Sequence, residues 1–133
     1  SMARTEHAAS MLRLARRDLT ALEALGGMAQ IDDVICGFHA QQAVEKALKA
    51  WLAILGHEYP LTHDLPRLFS LLRRAGANAQ RFRSLARFTP YAVQARYEEG
   101  DPDDDEPLDR PAIVAEVTAL LDQVAAVLDA AGD

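Results

Sequence analysis

Apolar residues of this chain recur every three or four positions, and this spacing restricts its fold more than any other feature. In residues 34–55 the apolar side chains fall within one arc when successive residues are drawn about 100° apart. This arc contains Val34, Phe38, Val44, Leu48, Trp51, Leu52 and Leu55. Other segments repeat the spacing, and none shows the alternation of a half-buried strand. The pattern therefore predicts amphipathic α-helices and no β-sheet.

Glycine and proline residues divide the apolar pattern into five predicted helices. These helices cover residues 5–25, 30–55, 65–75, 79–97 and 110–130. Gly26, Gly56 and Gly76 end the first three, because glycine readily ends a helix. Pro90 interrupts or kinks the fourth. We predict an all-α, antiparallel up-down bundle of four long helices and one short helix, in which residues 2–133 form a single domain.

The composition restricts the class of protein and its location. Half of the 133 residues are hydrophobic, which is too many for a disordered chain, and the net charge of −6 argues against general coating of nucleic acid. Cys36 is the single cysteine, so no disulfide framework is predicted and the cytoplasm is the expected compartment. No apolar run approaches the roughly 20 residues that span a bilayer, so we expect no membrane association. Ser1 before Met2 is typical of a tag remnant.

Charged residues are distributed unevenly along the chain. Residues 65–97 contain seven arginines and no acid: Arg67, Arg73, Arg74, Arg81, Arg83, Arg87 and Arg96. Residues 98–106 contain seven acids and no base. Two interpretations remain open. The arginines are surface charges that face the acidic segment, or they form a local positive patch for phosphate, which guanidinium binds through two hydrogen bonds.

No motif in the sequence predicts a metal site, a cofactor or a catalytic residue. Asp101, Asp103 and Asp105 match three ligand positions of an EF-hand, but Ala112 stands where the loop needs its bidentate glutamate. The spacing of histidine, cysteine and carboxylate residues does not resemble a zinc site. The "THDL" segment, which contains His63, is instead typical of a helix start capped by Thr62 or Asp64. There is no Gly-rich phosphate loop and no Ser-centred nucleophile motif.

Polar residues interrupt the apolar side of the second predicted helix. Gln41 lies within the apolar arc, and Glu45 lies at its edge. Beside them runs a polar stripe of His39, Gln42, Lys46 and Lys49. A buried polar group costs free energy unless it is hydrogen-bonded, so Gln41 needs a partner, or this side of the helix faces something other than an ordinary core. The stripe either is an ordinary exposed helix surface or borders a groove.

Three sequence blocks resemble the HEPN domain, the helical domain of prokaryotic and higher eukaryotic proteins. In the order of that family they are "FHAQQAVEKALKAWL", "GHEYPLTHDLPRLFSLL" and "TPYAVQARY". The resemblance implies a bundle of four long helices and one short helix, often homodimeric. It also implies a gene beside, or fused to, a minimal nucleotidyltransferase, and roles in nucleotide binding, in toxin–antitoxin pairs or in RNA cleavage.

The RNase branch of this family carries an arginine that is followed, after four to six residues, by a histidine. None of the three histidines in residues 39–63 has an arginine at that spacing, and His7 follows Arg4 by only three positions. The tyrosine that follows the histidine in AMPylated toxins is missing as well. The resemblance therefore favours a non-enzymatic component. The alternatives are a non-catalytic dimeric scaffold and a diverged, metal-independent RNase that uses His39, Lys46 and Arg96.

The resemblance also implies roles for the polar residues of the second helix. It places Gln41 and Glu45 opposite the "TPYAVQARY" segment, where Arg96 is the expected partner of Glu45 and Tyr97 belongs to the same structural network. The stripe would then border a groove for a nucleotide or a phosphate. The predicted ligand-binding residues are His39, Gln42, Lys46, Lys49 and Arg96.

The expected partners are a second copy of the chain, a minimal nucleotidyltransferase and a nucleotide, while RNA is left open. Trp51, Leu55 and the apolar stripe of the fifth helix offer more hydrophobic surface than one small bundle needs. That surplus predicts a two-fold dimer, which is the commonest oligomer symmetry.

Overall fold

The computed structural model describes residues 2–93 and 106–132. Its elements are helices α1 (Met2–Gly26), α2 (Asp33–Ile54) and α3 (Leu65–Arg74), a 3₁₀ helix (Gln80–Phe88) and helix α4 (Arg110–Gly132). A further helical turn begins at residues 91–93. No strand occurs in the described ranges. The prediction of an all-α helical bundle is confirmed.

Helices α1, α2 and α4 form the body of the bundle. Each of the three packs on the other two, and α3 and the 3₁₀ helix cover one side of α2. Helix α4 starts where α1 ends, and Arg16 lies 3.7 Å from Asp122 halfway along both helices. Helix α1 therefore runs antiparallel to α4, as it does to α2. Leu22, Leu48 and Leu120, one from each of these helices, are fully buried in the core that they share.

The fourth predicted helix begins as a 3₁₀ helix rather than an α-helix. Phe82, Leu85 and Phe88 are buried and lie three residues apart. A 3₁₀ helix has three residues per turn, so this spacing puts all three side chains on one side, against the bundle. The 3₁₀ helix ends before the predicted break at Thr89 and Pro90, after which helical structure resumes at Tyr91.

The start of α3 confirms the predicted cap. Asp64 precedes the helix, and its side chain accepts a hydrogen bond of 3.3 Å from the backbone N–H of Arg67. Thr62 in turn accepts one from the N–H of Asp64. Thr89, at the end of the 3₁₀ helix, accepts a hydrogen bond of 3.1 Å from the N–H of Leu65. These bonds satisfy backbone donors that have no partner within the helix.

Arg110 ties the start of α4 to the turn between α1 and α2. Its Nε donates to Asp33 Oδ1 at 3.0 Å, and its guanidinium also donates to the carbonyls of Leu25, Met28 and Ile31. One side chain thus satisfies one carbonyl in the last turn of α1, two carbonyls in the turn that follows it, and one carboxylate at the start of α2. No sequence motif predicted this contact, because its partners lie about 80 residues upstream.

Helix α4 is long and apolar in composition. By length and composition alone it could cross a membrane, and 28% of its apolar window is buried in the bundle. The buried residues are Ile113, Val117, Leu120, Leu121 and Val124. The prediction that the protein does not associate with a membrane stays a prediction.

Candidate functional site

Two residues of the predicted polar stripe share one carboxylate on the neighbouring helix. His39 Nδ1 lies 3.0 Å from Asp18 Oδ1, and Lys46 Nζ donates to Asp18 Oδ2 at 2.5 Å. Residues seven positions apart on a helix lie two turns apart on the same side, which lets both α2 side chains reach α1. The Asp18 side chain is 12% exposed. The structure therefore pairs both of these side chains with one acid.

Glu45 is the centre of a second polar cluster. Gln41 donates to Glu45 Oε1 at 2.8 Å, and Lys49 donates to Oε2, also at 2.8 Å. His63 Nδ1, from the loop after α2, lies 2.7 Å from Oε1. Gln42 completes the cluster by donating to Gln41 Oε1 at 2.6 Å. Gln41, Glu45 and Lys49 are spaced one turn apart, so α2 itself brings them together.

The α2–α3 loop, residues 55–64, joins this cluster to the N-terminus of α1. Tyr59 places its hydroxyl 2.7 Å from His7 Nε2, and the two rings stack with centroids 6.1 Å apart. Lys49 Nζ lies 5.5 Å from the centre of the Tyr59 ring. Arg4, His7, His57 and Tyr59 line an open cavity of about 480 Å³ between the loop and the N-terminus of α1.

Contacts on both sides hold the α2–α3 loop while its tip stays in solvent. Gly56 has a φ of +79°, and a Cβ there would lie 2.3 Å from a guanidinium nitrogen of Arg4. Only glycine suits both the left-handed turn and this close approach. At the other end His63 is held by Glu45. Between these points Leu61 is fully exposed.

Comparison with known families identifies the bundle. A family model of the HEPN domain matches residues 8–129, which is most of the chain. The chain belongs to the HEPN domain family. The match contains both polar clusters and the α2–α3 loop, and it begins after Arg4 and His7. No curated protein and no solved structure is significantly similar to the chain.

In this HEPN domain the described partners of Gln41 and Glu45 come from α2 and from the α2–α3 loop. The sequence had placed both opposite the "TPYAVQARY" segment, with Arg96 as the partner of Glu45. Arg96 and Tyr97 lie outside the described residues, so that pairing stays a prediction. The Glu45–Lys49 bond could have been found from its i, i+4 spacing alone. The contact between His63 and Glu45 was not predicted, because the position of a residue in a loop does not show which helix residue it contacts.

Binding of a ligand by the stripe also stays a prediction. Lys49, like Glu45, is largely buried, with 7% of its surface exposed. With Asp18 and Glu45 beside them, Lys46 and Lys49 are each balanced by a carboxylate. The two clusters therefore carry no net charge when the histidines are neutral. They can hold and orient groups through hydrogen bonds, but they exert little net attraction on an anion.

The single cysteine, the possible metal ligands and Tyr59 are the remaining candidate groups. Cys36 is fully buried, and burial raises the pKa of its thiol. Within residues 2–93 and 106–132 no group of three or more histidine, cysteine or acidic side chains is arranged to hold a metal ion. Asp101, Asp103 and Asp105 lie outside the described residues. Burial also raises the pKa of Tyr59, which favours its neutral hydroxyl beside His7.

The Glu45 cluster predicts an acid-sensitive fold. Burial alone raises the pKa of Glu45, but hydrogen bonds from Lys49, His63 and Gln41 outweigh it and lower the pKa from 4.5. The charged form is thus stabilised by folding, and this contribution is present above pH 4.5 and lost as the pH falls through the lower, folded-state pKa. In urea melts between about pH 6 and pH 3, the wild type should lose more stability than Glu45→Gln. Equal losses would contradict this.

Proposed function

We propose that this HEPN domain is a binding component of a two-gene, toxin–antitoxin-like module, and that its α2–α3 loop docks a minimal nucleotidyltransferase. The observation that carries this proposal is the loop itself. A single exposed leucine is ordinary in proteins. Leu61, however, is fully exposed on a loop that is held at Gly56 and His63 and that lines an open pocket. A pre-ordered apolar tip within a polar rim is the arrangement that protein interfaces use.

The charge balance of the two clusters supports a protein partner over a phosphate at this surface. Lys46 is bound to Asp18 and Lys49 to Glu45, so an anion would have to compete with a carboxylate that is already in place. The His63 side chain, in contrast, is 59% exposed while Glu45 orients it. It can hydrogen-bond a partner without breaking either cluster.

A nucleotide is the second candidate ligand, and the cavity favours it. Arg4, His7 and His57 supply groups that bind phosphate, and Tyr59 supplies an aromatic ring. Glu58 lines the same cavity and opposes the binding of an anion. The N-terminus of α1 adds partial positive charge at the same place. This cavity is not lined by the predicted stripe of His39, Gln42, Lys46 and Lys49. The two are adjacent at Lys49, which lies beside the Tyr59 ring.

We expect Leu61→Ser to weaken binding of the nucleotidyltransferase encoded next to this gene by about tenfold or more, because it removes the apolar group at the centre of the proposed interface. Calorimetric titration measures the affinity. Met28→Ser is the matched control, since Met28 is also exposed but lies at the opposite end of α2. Equal effects of the two variants would contradict docking through the loop.

Titration of the wild type with a panel of nucleotides tests the second candidate ligand.

We also propose that the domain acts as a cytoplasmic homodimer. Trp51 is 3% exposed and Leu55 is partly buried, so both serve the chain's own core. The same holds for Ile113, Val117 and Leu120 of α4. The proposal is supported by the apolar composition of α4, since only 28% of its most apolar window is buried in the bundle. Light scattering of the isolated protein tests this.

A further inference from the structure

The described part of the arginine-rich segment carries a strong local charge. Residues 65–93 contain six arginines and no lysine, histidine, aspartate or glutamate, so their formal charge is +6, while the whole chain carries −6. The six are Arg67, Arg73, Arg74, Arg81, Arg83 and Arg87. All six are exposed. They lie on α3 and the 3₁₀ helix, away from the two polar clusters.

Two of these arginines attach the 3₁₀ helix to α4. Arg87 forms an ion pair of 2.7 Å with Glu116, and its other terminal nitrogen donates to the carbonyl of Ser84. Arg81 donates to Gln123 at 3.3 Å. These contacts give Arg81 and Arg87 a structural role.

Two other arginines meet in a concavity at the junction of α3 and the 3₁₀ helix. Gly76, with a φ of +88°, turns the chain after α3, so that the 3₁₀ helix returns beside it. Arg73 and Arg83 then line a cavity of about 310 Å³ together with Ser70, Asn78 and Gln80. The Arg83 guanidinium lies 5.6 Å from the centre of the Phe69 ring, which orients its plane. No acidic residue is among these lining residues.

The C-terminus of α3 does not cancel this positive charge. Helix C-termini carry partial negative charge through their unpaired carbonyls. Here the carbonyls of Leu71, Leu72 and Arg73 accept hydrogen bonds from the N–H groups of residues 75–77, at 3.0 to 3.1 Å. Those carbonyls are directed into the turn, and side-chain donors line the concavity.

We propose that this concavity binds a phosphate group through Arg73 and Arg83, with Asn78 as an additional donor. Two exposed guanidinium groups that line one cavity, with no acid among the lining residues, suit the charge and the hydrogen-bonding capacity of a phosphate. The polar side chains of Ser70 and Gln80 can satisfy its remaining oxygens. The phosphate belongs either to a small phosphoester or to a nucleic-acid strand. Arg67 and Arg74 are exposed on α3, the helix that also carries Arg73, and they would attract such a strand. The site is separate from the α2–α3 loop and goes beyond the docking function proposed above.

The test compares three phosphate probes on the wild type and on charge-removal variants. The probes are inorganic phosphate, AMP and a fluorescein-labelled single-stranded oligoribonucleotide. We expect Arg73→Gln/Arg83→Gln to weaken binding of the preferred probe by about tenfold or more. The control Arg13→Gln/Arg17→Gln removes the same charge from exposed positions of α1 and should change the affinity by less than about twofold. Arg83→Lys keeps the charge but loses the planar fork, so it should bind less well than the wild type.

The outcomes distinguish a small phosphoester from a nucleic-acid strand, and they test the phosphate site independently of docking through the α2–α3 loop. Binding of phosphate and AMP indicates a small phosphoester. Binding of the oligonucleotide alone, with a logarithmic salt slope of about −0.7 per contacted phosphate, indicates a strand. Wild-type protein that binds none of the probes, or equal losses in test and control variants, overturns the proposal. If the double variant does not fold, the exposed Arg73→Gln single variant decides. Leu61→Ser should bind the probes normally, so failure of either proposal leaves the other testable.

Discussion

Replacing Glu45 with alanine should destabilise this HEPN domain by about 3–5 kcal/mol, because it leaves the ammonium group of Lys49 buried without its carboxylate. Both side chains are less than 10% exposed, and Lys49 Nζ lies 2.8 Å from Glu45 Oε2. The Tyr59 ring, 5.5 Å from Lys49, offsets only part of the loss. Gln41 and His63 lose an acceptor at the same time. Urea unfolding at neutral pH measures the change.

A double-mutant cycle separates the pair from its surroundings. Lys49→Met alone leaves the Glu45 carboxylate with two of its donors and should cost less than Glu45→Ala. The double variant Glu45→Ala/Lys49→Met removes both charges, so it should be more stable than Glu45→Ala alone. If the single effects are each below about 1 kcal/mol and additive, the pair behaves as an exposed one and the buried cluster is wrong.

Replacing Gly37 with alanine should destabilise the domain by about 2 kcal/mol, although alanine is the better helix former. The substitution gains about 1 kcal/mol of helix propensity. The new Cβ, however, would lie 2.3 to 2.6 Å from three ring atoms of Tyr91. Tyr91 is 7% exposed and its ring also contacts Phe88, so it has little room to move. Overpacking of this kind costs about 1–3 kcal/mol or more.

The matched control for Gly37 is Gly27→Ala. A Cβ at Gly27 meets only a backbone oxygen at 3.8 Å, so this change should alter stability by less than about 0.5 kcal/mol. Replacing the Tyr91 ring with the smaller leucine side chain, in the Gly37→Ala background, should recover part of the lost stability. A Gly37→Ala variant more stable than the wild type would show that Tyr91 does not pack against α2.

The fold was predictable because helices are local structures. The apolar period of residues 34–55 and the glycines at positions 26, 56 and 76 depend only on neighbours in the sequence, and they set α1, α2 and α3 to within a few residues. The 3₁₀ geometry of residues 80–88 was not predicted. A three-residue apolar spacing also fits an α-helix over a short stretch, and packing against the bundle decides between the two.

The candidate site was only partly predictable. Its residues in α2 are close in the sequence, but several of their partners come from distant parts of the chain. The sequence by itself identified the polar stripe of α2, the buried position of Gln41 and the family. Only the tertiary structure decided that His39 and Lys46 meet Asp18, that His63 reaches Glu45 and that Arg73 and Arg83 share a concavity. A helix determines which side chains lie on each of its sides. The side chains that they meet depend on how the loops place the next element.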